Sequence, residues 1–121
     1  MQKTILVVDD SPSVRRMVSM TLKGAGFAVV EADDGRAALA AAERSLPDII
    51  ITDQNMPNLD GIGFIKAFRA LPQSAGVPVI FLSTETEDAI KAQARAVGAI
   101  GWMTKPFNDE KLLSVVKRVA G

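Results

Sequence analysis

The sequence predicts an α/β protein built on a doubly wound, five-stranded parallel sheet with five helices. Apolar runs of four to six residues alternate along the chain with longer segments of helical period. The connections between them are short, and crossover helices joining short strands favour a parallel sheet covered on both faces. Right-handed crossovers narrow the topologies further. At 121 residues and 48% hydrophobic content, one compact domain spanning 1–121 is expected.

The elements follow in order. Ile5-Leu6-Val7-Val8 reads as the first strand and runs into Asp9-Asp10. Ser11-Pro12-Ser13 supplies a cap and an early helical proline. Val14, Met17, Val18, Thr21, Leu22 and Ala25 then recur at helical spacing, with Arg15, Arg16, Ser19 and Lys23 opposite, until Gly24 and Gly26 stop the helix. The second strand is expected at 27–31, and Asp34-Gly35 leads into an alanine-rich helix over 36–44. Pro47-Asp48 opens a third strand ending at Asp53. Asn58-Leu59-Asp60-Gly61 turns into a helix carrying Ile62, Ile65, Phe68 and Ala70-Leu71. Pro78 starts the fourth strand, 79–82, which runs into Ser83. A helix is expected over 85–97 with Gly98 behind it, then a strand at 100–103 running into Thr104-Lys105-Pro106. Asn108 caps a last helix with Leu112, Leu113, Val116 and Val119.

Composition removes several functions. Lys+Arg and Asp+Glu both count 14, so the formal net charge is zero, which argues against nucleic acid or anionic membrane as a partner. No apolar stretch approaches a bilayer span, and with strand-like sequence by Thr4 no signal peptide is expected. With no cysteine there is no disulfide, thiolate nucleophile or Cys-based zinc site. A cytoplasmic monomer is expected. With no histidine there is no Ser-His-Asp or Cys-His mechanism. Any phosphohistidine must come from another molecule.

Four strands end in polar residues: Asp9-Asp10, Asp53, Ser83 and Lys105. If the strands are parallel neighbours, these ends share the edge where open α/β sheets bind ligands. Magnesium takes oxygen ligands and typically one or two carboxylates plus phosphate oxygens. Two carboxylates 4 Å apart repel by roughly 4 kcal/mol at an effective dielectric near 20, so a cluster of three needs a divalent cation or a lysine. Ser83 suits hydrogen bonding to a phosphoryl oxygen and Lys105 offers it a point charge. Taken alone, the Asp9-Asp10 pair also fits a capping role for the helix that follows. Asp33-Asp34 and Asp60 read as turn and cap residues. Asp48 opens its strand roughly 16 Å from Asp53, on the opposite rim.

Val7-Val8-Asp9-Asp10-Ser11, Thr52-Asp53-Gln54-Asn55-Met56-Pro57, Asp60-Gly61, Ser83-Thr84-Glu85 and Lys105-Pro106-Phe107 together resemble the receiver domain of two-component response regulators. The similarity covers essentially the whole chain and is closest to single-domain chemotaxis regulators of the CheY type. The resemblance implies a flavodoxin-like sheet of order 2-1-3-4-5 and a phosphoryl group accepted on Asp53. It implies magnesium held by the Asp10 and Asp53 side chains and the Asn55 backbone carbonyl, with Asp9 acting mainly through water. Ser83 and Lys105 would bind the phosphoryl oxygens, and the Lys105-Pro106 bond is often cis in the family.

The usual Tyr or Phe three positions before the lysine is here Trp102, expected to act as a switch because a buried indole usually needs a partner for its N–H. Thr84 stands where Ala or Gly is common and would narrow access to the phosphoryl site. Asn55 and Glu85 occupy positions that tune dephosphorylation in the family.

The expected phosphodonor is a sensor histidine kinase or its phosphotransfer domain, met through Arg15 and Arg16. The expected output is a flagellar motor switch protein, met through Lys91, Arg95 and Trp102. A phosphorelay intermediate or phosphate sink without motor output is the alternative. A magnesium-dependent aspartyl-phosphate phosphohydrolase is disfavoured, since the second acid it needs two residues after the nucleophile is here Asn55. A flavodoxin-like cofactor binder is disfavoured because Asp9-Asp10 would repel a phosphate, and no GxGxxG follows the first strand. Apart from its own phosphorylation and dephosphorylation, no enzyme activity is expected.

Overall fold

A computed structural model of the chain describes residues 2–84 and 88–120. Its elements are β1 (Thr4–Val8), α1 (Pro12–Gly24), β2 (Ala28–Ala32), α2 (Gly35–Arg44), β3 (Ile49–Asp53), α3 (Gly61–Arg69), β4 (Val79–Ser83), α4 (Asp88–Ala96), β5 (Ala99–Thr104) and α5 (Asp109–Ala120). All strand pairs are parallel, in the order β2-β1-β3-β4-β5. This is the expected topology.

The central strands are apolar on both faces because helices cover both. Leu6, Val8, Ile50, Val79 and Phe81 point to one layer, which includes Phe64, Ile65, Phe68 and Ala94 from α3 and α4. Ile5, Val7, Ile49, Ile51, Ile80 and Leu82 point to the other, with Val18, Leu22, Leu112 and Val116 from α1 and α5. The two-residue period of a strand sends neighbours to opposite layers.

Capping sets most helix starts. The Ser11 hydroxyl accepts from the Val14 N–H, with Pro12 beginning α1. Asp34 accepts from Ala37 at 2.8 Å, and Asp60 from Gly63 at 2.7 Å. Both acids therefore cap helices, as read from the sequence. Asp34 sits below the usual carboxylate range because the Ala37 N–H and then the Asn58 amide hydrogen-bond to its charged form. Asn108 accepts from Lys111 at 2.8 Å before α5.

Boundaries differ by a residue or two, since strand limits follow pairing and not composition. β2 starts at Ala28, because Phe27 is spent bonding back to the Leu22 carbonyl at the end of α1. β3 starts at Ile49. Asp48 instead accepts from the Thr4 N–H at 2.7 Å and pins the opposite rim. β5 spans both Ala99 and Thr104, and slips register near Val79 and Ile80. After α3, Pro72–Ser74 forms a 3-10 turn that the sequence reading did not anticipate.

Arg69 explains how that turn is held. Its guanidinium donates to the carbonyls of Ser74 at 2.7 Å, Val77 at 2.8 Å and Val97 at 3.0 Å. One side chain ties the end of α3 to the start of β4 and to the turn before β5. Burial lowers its pKa, but the fork geometry suits several carbonyls at once. Among the described residues, no helix is long and apolar enough to cross a membrane.

Replacing Arg69 with Lys should therefore destabilise the fold by roughly 2 kcal/mol, because one ammonium cannot reach all three carbonyls. Urea unfolding at pH 7 checks this.

Candidate functional site

Strand register places the polar ends together. Val8 pairs with Thr52, so Asp9 and Asp53 stand level at the carboxyl edge. Asp53 pairs with Leu82, and Ser83 with Thr104. Ser83 is thus one step further out, and Lys105 one step beyond it. Asp9, Asp53 and Ser83 are buried, whereas Asp10, Asn55 and Thr84 are exposed.

One carboxylate oxygen from each of Asp9, Asp10 and Asp53 lies within 4.8 Å of the others. Lys105 Nζ reaches Asp9 Oδ2 at 2.8 Å and Asp53 Oδ2 at 3.3 Å. The bond joining Lys105 to Pro106 is cis, the isomer the resemblance led us to expect. The remaining Asp9 oxygen accepts from the Ser11 N–H at 2.9 Å. The Lys105 N–H donates to the Ser83 carbonyl at 2.9 Å, fixing the start of the β5–α5 loop against β4. Ser83 ends β4 fully buried.

The charges set the protonation of Asp53. Burial and then the nearby Asp9 carboxylate push its pKa up to about 6, against the opposing pull of Lys105. For Lys105, burial works downward. The Asp9 hydrogen bond and the Asp53 and Asp9 charges outweigh it and hold the ammonium above its ordinary range. An all-oxygen donor set with more negative than positive charge fits a hard divalent cation.

Asp53 Oδ1 accepts from the Gln54 N–H at 2.8 Å. Gln54 was not singled out in the sequence, yet its side chain is buried and bonded at both ends. Oε1 accepts from the Ile62 N–H at 2.9 Å, and Nε2 donates to Asp60 Oδ2 at 3.3 Å. A glutamine just past a strand carries no local signal for this role. Gly61 lies so close that an added Cβ would collide with the Asp53 carbonyl oxygen.

Trp102 stacks on Phe81, with ring centroids 5.9 Å apart and planes 13° off parallel. Lys91 Nζ lies 5.8 Å from its ring centroid, within cation–π range. Its Nε1 is buried and finds no hydrogen-bond partner among the described residues. Lys91, Arg95 and Trp102 do line one surface concavity, with Ala99, Ile100 and Gly101. Thr84 lines a different, apolar concavity with Val14, Met17, Lys105, Pro106 and Phe107. Glu85 lies outside the described residues. Arg15 is occupied within the fold, donating to the Asp9 carbonyl at 2.7 Å and pairing with Glu31 at 3.1 Å, while Arg16 is exposed.

A carboxyl whose pKa rises on folding costs stability once it ionises. The cost from Asp53 is complete above pH about 6 and vanishes toward its ordinary value of 3.8. Asp53→Asn should therefore stabilise the metal-free protein at pH 7.5 by roughly 1–2 kcal/mol, allowing for solvent screening. The gain should shrink as pH falls from about 6 to 4. Urea unfolding across that range, in the presence of a chelator, checks both.

The fold and site can be set beside known proteins. The chain is 37% identical over 119 residues to the alkaline phosphatase synthesis transcriptional regulatory protein PhoP of Bacillus subtilis, covering 98% of this chain and 49% of that protein. The chain spans about half the length of the curated relatives it matches. Chemotaxis response regulator CheY4 of Vibrio cholerae superposes with a TM-score of 0.94 at 48% identity, covering 98% of this chain and 99% of that one. The receiver domain of sensor histidine kinase PA1611 from Pseudomonas aeruginosa superposes at 0.90 with 28% identity, covering 100% of this chain and 99% of that one, and has magnesium coordinated in its active-site cleft. The family model of the response regulator receiver domain matches residues 5–117, and with the carboxyl-edge cluster in place, this chain belongs to that family.

Proposed function

We propose that the chain is a phosphorylation-activated switch of a two-component system, with Asp53 accepting the phosphoryl group. The observation that carries this reading is Asp53 itself, a buried carboxylate shared between an acidic cluster and the Lys105 ammonium. The chain has no histidine, so a phosphohistidine donor belongs to another molecule, here a sensor histidine kinase or its phosphotransfer domain.

The Asp53 carboxylate is the nucleophile. An oxygen of Asp53 bonds to phosphorus in line as the bond from phosphorus to the donor's imidazole nitrogen breaks, and that nitrogen keeps the electron pair. Lys105 neutralises charge on the equatorial oxygens, and the Ser83 hydroxyl donates to one of them. Magnesium would be held by the Asp10 and Asp53 carboxylates and the Asn55 carbonyl, with Asp9 acting through water; when bound it offsets negative charge on the transferring group. Lys105, with three N–H donors of which Asp9 and Asp53 take two, can turn a donor toward the new phosphate oxygens. That change is the local event that biases a two-state element.

The element we favour is the face carrying Lys91, Arg95 and Trp102. A chemotaxis role, with a flagellar motor switch protein as partner, is supported by the 48% identity to CheY4. A second reading also has support: PhoP is named a transcriptional regulatory protein. A receiver of that kind would signal through another unit and not through a motor. A phosphorylation-dependent pull-down against motor switch and phosphotransfer proteins separates these outputs.

Asp53→Asn should abolish acylphosphate formation from a small phosphodonor while circular dichroism stays native. Magnesium-dependent labelling of that variant would refute the assignment. Magnesium with beryllium fluoride should change the fluorescence of Trp102, the only tryptophan in the chain. An unchanged spectrum would remove Trp102 from the switch and leave the acceptor assignment standing.

A further inference from the structure

We infer that Gln54 is a positioning residue for the phosphoryl-acceptor site, acting through the loop that joins β3 to α3. The inference rests on Asp53 being the acceptor and on Asn55 supplying a carbonyl to magnesium.

The first turn of a helix leaves N–H groups without intrahelical partners. In α3 just two residues satisfy three of these. The Gly61 N–H donates to the Gln54 carbonyl at 2.9 Å, and the Ile62 N–H to Gln54 Oε1 at 2.9 Å. The Gly63 N–H donates to Asp60 Oδ1. Gln54 Nε2 then reaches Asp60 Oδ2 at 3.3 Å, so the two capping residues are bonded to each other. The intervening loop, 55–59, is closed at both ends. Its first member is Asn55, which follows Gln54 directly, and the residue before Gln54 is Asp53, whose Oδ1 already accepts from the Gln54 N–H.

Asp60 satisfies one of these three N–H groups, and Gln54 satisfies the other two from across the loop. Gln54 adds a rigid link from the helix terminus to the acceptor carboxylate on one side and to the Asn55 peptide on the other. Gly61 lets the helix sit directly on the Asp53 carbonyl, with no room for slack. Groups that orient metal ligands typically change affinity by 10–100-fold when removed.

The test uses Gln54→Met, which keeps length and removes both polar ends without altering charge. Magnesium affinity is measured by calorimetric titration, and acylphosphate formation from a small phosphodonor is followed at limiting and saturating magnesium. Asp48→Ala, which loses a backbone cap on the opposite rim, serves as a control for stability loss. In Gln54→Met the magnesium Kd should rise about tenfold, with labelling slowed most at limiting magnesium, while Asp48→Ala keeps the wild-type Kd. Gln54→Asn, too short to make both contacts, should fall between and serves if the Met variant does not fold.

Unchanged magnesium affinity in the folded Gln54 variants would overturn the inference. So would an affinity loss of equal size in Asp48→Ala. Wild-type protein that binds magnesium but takes no phosphoryl group would refute the acceptor assignment, and the calorimetric result would still decide the role of Gln54.

Discussion

The ion pair of Lys105 with Asp9 and Asp53, at 2.8 and 3.3 Å, is the interaction on which the site depends. Sheet geometry forces buried carboxylates together at one edge, and an uncompensated buried charge is strongly destabilising. One ammonium offsets part of that charge and leaves Asp53 with a raised pKa. The same shortage of positive charge that strains the fold makes the edge receptive to a divalent cation. Stability and chemistry therefore pull in opposite directions at one residue.

The surrounding structure holds this arrangement in place by backbone means. The Ser83 carbonyl takes the Lys105 N–H, the Asp9 carbonyl takes Arg15, and Gln54 ties the end of β3 to the start of α3. Each tie crosses from one strand end to a neighbouring element. A new charge at Asp53 would be felt first by Lys105, whose three N–H donors would be redistributed among Asp9 and the added oxygens. Beyond the site, across β4 and β5, Phe81 stacks on Trp102 and Lys91 Nζ lies within cation–π range of the indole.

Much of this was legible in the chain itself. The alternation of apolar runs with helical segments specified the parallel sheet, because strands buried on both faces read as unbroken apolar stretches. Asp34 and Asp60 were recognisable as caps from the glycine-bearing helix starts that follow them. Less legible were the roles of Gln54, Arg15 and Arg69. Each acts on backbone carbonyls, amides or acids outside its own element, and no local pattern marks a long polar side chain for such a partner. The 3-10 turn after α3 has no local signal for the same reason, since Arg69 holds it from outside the segment.

The sequence by itself determined the fold class, the strand ends that carry Asp9, Asp10, Asp53, Ser83 and Lys105, and the absence of any internal histidine or thiol chemistry. These follow from periodicity and residue type, which are properties of short windows. Only the tertiary structure decided that Lys105 bridges Asp9 and Asp53, that Asp10 stands exposed while Asp9 is buried, and that the Gln54 side chain bonds the first turn of α3. Strand register and helix seating set those distances, and both emerge only when the two apolar layers close around the sheet.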